Sequence, residues 1–348
     1  MKKKCRFVGI MFLCIIIVCT VLVMIYERAT NNNTKEKENF TVVTSFYPMY
    51  IAALNIVDGA DGVTLENLSE PQTGCLHDFQ LTPEDMKLLS TADLFVINGG
   101  GIESFMSDVA KAYPDLTVVE ACKNVELINE SEEDVDTHDH DHEADSDETD
   151  HDHDNEADSD ETDHDHETDS DESDHDHDHG DENAHAWMSV ARYRVMVSTI
   201  AESLSKADPS NAAIYDSNAK KYDAKLAELE EKEKEIKQKT AGNDIIIFHE
   251  AYEYVADDFG MNVCYLMDLD EERAVSAGEV SDVINAVRND GVSVILAEEL
   301  YGKDLGDTVS RETDVKMVYI DPLNRGNYDK NSYIEGMEKN FELIEAAF

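Results

Sequence analysis

Histidine is concentrated in one acidic stretch of the sequence. Ten of the 13 histidines lie within residues 138–179, interleaved with aspartate and glutamate as HDHDH and ETDHDH units. Neutral imidazole suits Zn²⁺, Cu²⁺ and Ni²⁺, and the flanking carboxylates add negative potential and weak oxygen ligands. The stretch has no aromatic residue, lysine or arginine and no aliphatic side chain larger than alanine, so it is predicted to be a solvated loop. We expect a metal-binding segment rather than a simple acidic spacer.

The other three histidines stand apart from this tract, at positions typical of ligand sites. His77 lies in a loop before residues 82–85, which have the pattern of a capped helix start. His185 lies where the acidic loop meets a predicted helix. His249 follows the predicted strand 245–248, and ligand sites in open α/β sheets form at the carboxyl ends of strands. A single histidine there is usually structural, but three in a chain with a histidine-rich tract favour ligation.

His249 also begins a sequence that resembles a zinc hydrolase motif. The run HEAYE at residues 249–253 matches the start of HExxH, but Glu253 stands where the second histidine would be. Only a three-histidine site with an open fourth position would restore a catalytic form. Glu250 is the obvious base nearby, and no recognisable nucleophile or oxyanion motif accompanies it. We therefore expect a binding protein rather than an enzyme.

Predicted strands alternate with helices on both sides of one long helix. Before it lie strands 41–45, 94–97 and 116–119, and after it lie strands 245–248, 263–267, 292–297 and 315–320. This alternation predicts an α/β fold with a mainly parallel sheet in each half. The predicted organisation is a membrane anchor and polar leash at 1–39, an N-terminal lobe at 40–206 with the acidic loop at 130–182, a linking helix at 207–240, and a C-terminal lobe at 241–348.

The N-terminus has the pattern of an export and membrane-anchoring segment. After a basic start, residues 7–26 form an uncharged and almost wholly apolar run of about 20 residues, long enough to span a bilayer. The basic residues before the run, against only Arg28 close after it, predict that the remainder lies outside the cytoplasm. Cys19 would be a lipidation site only with bulky Val18 before it, so we expect an uncleaved anchor rather than a lipid anchor.

Charge and cysteine content narrow the class of protein and the kind of metal site further. The formal net charge of −50 argues against a nucleic-acid partner and favours cationic ligands. Beyond the N-terminal segment the cysteines are Cys75, Cys122 and Cys264, which make neither a disulfide framework nor a good thiolate metal site. One disulfide could form between two of these cysteines, but we expect all three to act as small buried hydrophobic residues.

Four runs of sequence together resemble a known family. In order they are GCLHDFQLTPED, HAWMS, FHEAYEYVADDFG and YIDPL. They resemble the metal-specific solute-binding proteins of ABC importers, and among these the zinc-binding ZnuA-like group (cluster A-I), with order and intervals matching over about residues 40–348. The resemblance implies two α/β lobes joined by a long rigid helix, one metal in the interlobe cleft, and an ABC permease with its ATPase as partners. In zinc-specific members an acidic, histidine-rich loop precedes the second histidine, as it does here.

The resemblance also implies the metal ligands. Carried over by position, they are His77 and His185 from the first lobe and His249 and Asp321 from the second. Asp321 is the least secure, and the alternatives are Glu250, Glu298 and Glu299. Three imidazoles and one carboxylate suit four-coordinate Zn²⁺, whereas Mn²⁺ sites favour more carboxylate.

The sequence departs from the family pattern before the second ligand. The usual DPHAW reads NAHAW here, with Asn183 and Ala184 in place of Asp-Pro. We expect this change to loosen the turn while leaving His185 in place. The alternatives to zinc uptake are binding of manganese or another divalent metal, an extracellular metal buffer or adhesin, and a zinc hydrolase.

Overall fold

The computed structural model describes residues 39–70, 76–77, 79–129, 182–269 and 273–348. The predicted anchor at residues 7–26 and the acidic stretch at residues 130–181 lie outside these ranges, as does Cys75. Within the described ranges, no helix is both long and apolar enough to cross a membrane.

The first lobe is built on a four-stranded parallel sheet. Its strands are β1 (Phe40–Thr44), β2 (Val63–Asn67), β3 (Leu94–Ile97) and β4 (Thr117–Glu120), in the spatial order β2-β1-β3-β4. Strand β3 reads LFVI and is buried along its whole length, as expected where both faces of a parallel sheet are covered. The strands are connected in turn by helices α1 (Tyr47–Ile56), α2 (Pro83–Leu89) and α3 (Met106–Ala112).

A short antiparallel ladder joins the two ends of the acidic segment. Strand β5 (Ile128–Asn129) pairs with β6 (Glu182–Asn183), with Ile128 opposite Asn183 and Asn129 opposite Glu182. Residues 130–181 therefore begin and end at adjacent points of the first lobe. His185 follows two residues after this ladder.

Two long helices lead from the first lobe to the second. Helix α4 (Val190–Ala207) is followed by α5 (Ala212–Thr240), whose 29 residues span about 44 Å at 1.5 Å per residue. Arg194 on α4 forms ion pairs with Asp223 and Glu230 on α5. These pairs fix α5 against the first lobe.

The second lobe repeats the plan of the first. Strands β7 (Asp244–Ile247), β8 (Asn262–Leu266), β9 (Val294–Ala297) and β10 (Lys316–Tyr319) form a parallel sheet in the order β10-β9-β7-β8. Strand β9 reads VILA and is buried throughout. The strands are connected by α6 (Tyr252–Phe259), α7 (Ala277–Asp290) and α8 (Glu299–Glu312), and α9 (Ser332–Glu345) follows the last strand.

Helix α9 lies along the long helix α5 in a regular register. Three lysines of α5, each seven residues from the next, contact Asn331, Glu338 and Glu345, which have the same spacing; the lysines are Lys225, Lys232 and Lys239. The two helices therefore run parallel, and α5 is fixed to both lobes.

The predicted two-lobed α/β fold is confirmed, with differences in detail. The sequence prediction missed β2, whose side chains are mostly half-buried at the sheet edge and form no apolar run. The sequence pattern of residues 102–113 predicts a helix that begins at residue 102, whereas helix α3 begins at Met106. The reason is Glu103, whose carboxylate accepts the N–H groups of Asn98 and Gly99, at 2.7 and 3.0 Å, and holds these residues in a turn.

Both described cysteines of the folded part, Cys122 and Cys264, are free thiols. Cys122 is buried, as predicted for a small hydrophobic residue, but Cys264 is exposed, so that interpretation is wrong for Cys264.

Candidate metal centre

His77 reaches the centre from a loop between β2 and α2. Its backbone carbonyl accepts the Ser104 hydroxyl at 3.1 Å, which ties this loop to the residues before α3. Its side chain is 34% exposed, and its ring lies 5.3 Å from the ring of His185 between centroids. His77 is thus partly exposed, while its Nε2 is buried and faces the centre.

His185 is fully buried and precedes a short 3₁₀ helix, Ala186–Met188. Its backbone N–H donates to Asn183 Oδ1 at 3.0 Å. Trp187 continues the segment into the second lobe, because its indole N–H donates to the carbonyl of Pro322 at 2.8 Å. The Asn183 side chain closes this turn through the His185 N–H, and the expectation that the turn is looser than with Asp-Pro stays a prediction.

The second lobe supplies His249 and Glu250 directly after the inner strand β7. The fully buried His249 ring lies edge-on to His185, 5.1 Å away between centroids. His249 Nδ1 accepts the N–H of Ala251 at 3.0 Å, so the neutral ring carries its proton on Nε2. For Nε2 to bind a metal, the ring proton would have to move to Nδ1, which could then no longer accept the Ala251 N–H.

Three side chains bring ligand atoms together. His77, His185 and Glu250 each offer one atom, and the three atoms lie within 4.8 Å of one another. Glu250 Oε1 is 3.5 Å from His77 Nε2 and 3.2 Å from His185 Nδ1. This carboxylate, from the second lobe, therefore contacts both histidines of the first, and its position next to His249 was the sequence signal for it.

The electrostatics of the centre keep its imidazoles neutral. Burial, and then the nearby rings of His249 and His77, lower the pKa of His185 well below 6.5. Burial also lowers the pKa of His249 to about 3, with smaller contributions from His77 and Arg325. Both rings are neutral near pH 7, which is the form that binds a metal.

The remaining predicted carboxylates have other partners. Asp321 lies outside the group of three among the described residues, and its Oδ1 accepts the N–H of Leu323 at 2.8 Å. The buried Glu298 forms an ion pair with Arg325 at 2.8 Å. Glu299, at the start of α8, lies 3.6 Å from the ammonium of Lys303. Glu250 is the alternative ligand that the structure brings to the histidines.

Sequence reasoning missed the residues that support the centre. Asn98 donates from its side chain to the carbonyl of Ala184 at 2.9 Å, and Glu103 holds Asn98 in turn. Tyr254 donates its hydroxyl to the carbonyl of Asn183 at 2.5 Å. The NAHAW run was a signal for Asn183, but no local pattern singled out the others.

Comparison with known proteins gives a consistent picture. A family model described as ZnuA, zinc-uptake complex component A, periplasmic, matches residues 42–347. The zinc-binding protein AdcA of Streptococcus pyogenes serotype M3 is 29% identical over 315 residues, covering 87% of this chain and 55% of AdcA. The chain therefore spans little more than half the length of that relative.

A second relative has a similar length. The high-affinity zinc uptake system protein ZnuA of Bacillus subtilis is 26% identical over 339 residues, covering 95% of each chain. Among solved structures, Zn(II)-bound AdcA from Streptococcus pneumoniae superposes with a TM-score of 0.66 at 20% identity, covering 89% of this chain and 57% of that one. This likeness supports the fold.

Proposed function

Because this chain belongs to the ZnuA family of zinc-uptake complex components, we propose that it captures Zn²⁺ outside the cytoplasm and delivers it to an ABC permease and its ATPase. The observation that carries the proposal is the convergence of His77, His185 and Glu250, with ligand atoms within 4.8 Å of one another, where the lobes meet. A donor group shared between two lobes can take up an ion and release it when the lobes move apart.

The donor types favour zinc. We propose His77, His185 and His249 as the nitrogen ligands, because Zn²⁺ accepts imidazole and carboxylate in a four-coordinate site. The fourth ligand is a carboxylate of the second lobe, for which the family pattern points to Asp321 and the contact with both histidines favours Glu250. Manganese would favour a site richer in carboxylates.

The N-terminal sequence supports a location at the outer face of the cytoplasmic membrane. The apolar run at residues 7–26 follows a basic start and would tether the protein while leaving both lobes outside. Replacing Cys19 by alanine tests the type of tether. We expect the protein to stay membrane-bound with an unchanged N-terminus, whereas an acylated Cys19 in the mass spectrum would mean a lipid anchor.

Zinc titration of a variant lacking residues 130–181 tests the proposed site without the histidines of the acidic segment. Putting a two-residue Asn-Gly turn in place of residues 130–181 lets β5 and β6 still pair, and we expect one tightly bound zinc per chain. Loss of all tight binding would mean that the lobes hold no site.

For transport, a deletion strain without a second importer should grow poorly when zinc is chelated, and normal growth there would contradict the uptake role.

A further inference from the structure

Asn183 connects the metal ligands of the two lobes. It is fully buried on β6, two residues before His185. Its side-chain oxygen accepts the backbone N–H of His185 and also faces His185 Nδ1, both at 3.0 Å. Its side-chain nitrogen donates to the backbone carbonyl of Glu250 and to the carboxylate of Glu253, both at 2.9 Å. One amide therefore touches the segments of a ligand from each lobe.

The orientation of this amide follows from its partners. A carbonyl and a carboxylate can only accept, so the NH₂ group has to face Glu250 and Glu253. A backbone N–H can only donate, so the oxygen has to face His185. With the oxygen on that side, His185 donates its ring proton from Nδ1, which also lies 3.2 Å from Glu250 Oε1, and its Nε2 keeps the lone pair for a metal.

The carboxylate of Glu253 determines which residue fits at position 183. Glu253 lies in the first turn of α6 and is 8% exposed, so water screens it little. An amide donates to it, whereas an aspartate at 183 would set one buried carboxylate against another. Such like-charge contacts in a low-dielectric site are strongly unfavourable.

We propose that Asn183 is a positioning residue for His185, and that its amide is required because Glu253 of the second lobe faces it as a carboxylate. The contact between Asn183 and Glu253 holds His185 and Glu250 at fixed positions relative to each other across the two lobes. The metal part of this proposal rests on the proposed function, whereas the match between the two side chains does not.

A double-mutant cycle that exchanges hydrogen-bond donor and acceptor tests the contact between Asn183 and Glu253 in the full chain. The variants are Asn183→Asp, Glu253→Gln and the two together, compared by zinc competition with a chelator strong enough to strip the acidic segment, and by thermal unfolding without metal. Asn183→Asp should lower zinc affinity about 10- to 100-fold, the usual cost of disturbing a group that orients a ligand. The double variant restores a donor opposite an acceptor at position 253 but leaves an oxygen facing the Glu250 carbonyl, so its affinity should rise above that of Asn183→Asp without reaching wild type.

The matched control is Asn124→Asp, which adds the same charge at an exposed position on the 3₁₀ helix Ala121–Asn124. It should leave affinity within about threefold of wild type. The proposal is overturned if Asn183→Asp behaves like wild type, if the double variant is as weak as Asn183→Asp, or if Asn124→Asp is equally damaging. If wild type holds no chelator-resistant zinc, the proposed function fails, and the metal-free unfolding temperatures still decide whether the two side chains are matched.

Discussion

The two lobes contain the same four-stranded parallel sheet but present their candidate metal ligands differently. In the second lobe, His249 and Glu250 come directly after the inner strand β7, so the sheet itself sets their position. In the first lobe, His77 and His185 lie on loops, and neither directly follows one of the four main strands in the sequence. Donors on loops need side-chain supports, and these supports are found in the first lobe.

The supports of the first lobe form a chain of buried polar groups. Glu103 accepts N–H groups of Asn98 and Gly99, and Asn98 reaches the carbonyl of Ala184 beside His185. Gly100 completes the turn with φ 68°, and a Cβ there would lie 3.3 Å from the Cβ of Ala184. In the first lobe, these hydrogen bonds hold the loop in the way that a strand end would. Their strength depends on the charge and type of the side chains that make them.

Removing one histidine from each lobe gives the largest expected effect. We expect His185→Ala and His249→Ala each to weaken zinc binding at least about 100-fold, because each removes a proposed nitrogen ligand. Competition titration of the variant lacking residues 130–181 measures this. In the intact chain, His151→Ala removes one of ten similar histidines and serves as the control. A mild effect of His249→Ala would show that the first lobe and Glu250 suffice.

The support of the first lobe should be sensitive to pH. Burial raises the pKa of Glu103 from 4.5 to about 7, against the opposing effect of the N–H groups that it accepts. The folded state binds this proton more tightly than the unfolded state does, so protonation of Glu103 stabilises the fold. This stabilisation is fully present below pH 4.5 and is lost as pH rises through 7. The loss should be about 3 kcal/mol in the free energy of unfolding.

Urea unfolding of wild type and Glu103→Gln at about pH 4.5 and about pH 8 measures the contribution of Glu103 to the pH dependence of the free energy of unfolding. The glutamine cannot ionise, so the variant should gain stability relative to wild type at the higher pH. Any constant cost of the amide cancels between the two pH values. Parallel pH dependences would show that Glu103 stays ionised in the fold.

The carboxylates of the second lobe should give an intermediate effect. We expect Glu250→Gln to weaken zinc binding about tenfold and Asp321→Asn to weaken it less, because Glu250 already contacts both histidines of the first lobe. Both changes are nearly isosteric and remove one charge, so each controls for the other. The reverse ranking would assign the fourth ligand to Asp321.

The contact between α5 and α9 should give the smallest effect. Lys232→Met breaks the pair with Glu338, and both side chains are more than a third exposed, so we expect a loss of about 0.5 kcal/mol or less in the free energy of unfolding. Zinc affinity should not change. A loss of affinity would mean that the register of the two helices reaches the metal centre.

The sequence predicted the architecture well because inner strands such as β3 and β9 are continuous apolar runs. The edge strand β2 escaped detection because it is only partly buried. The histidines were found from their types and their place in the family motifs. The contacts of Asn183 and Glu250 could not be found, because they join segments that meet only when the two lobes come together.

The β5–β6 ladder has a consequence for how the acidic segment changes over generations. The run EADSDETDHDH occurs twice, at residues 143–153 and 156–166, which is the mark of a tandem duplication. The ladder pins both ends of this segment side by side, and doubling the length of a loop costs only about 0.6 kcal/mol of closure entropy. Copying a short stretch of DNA can therefore add histidines in steps, and selection can adjust their number without altering the metal centre that begins two residues beyond.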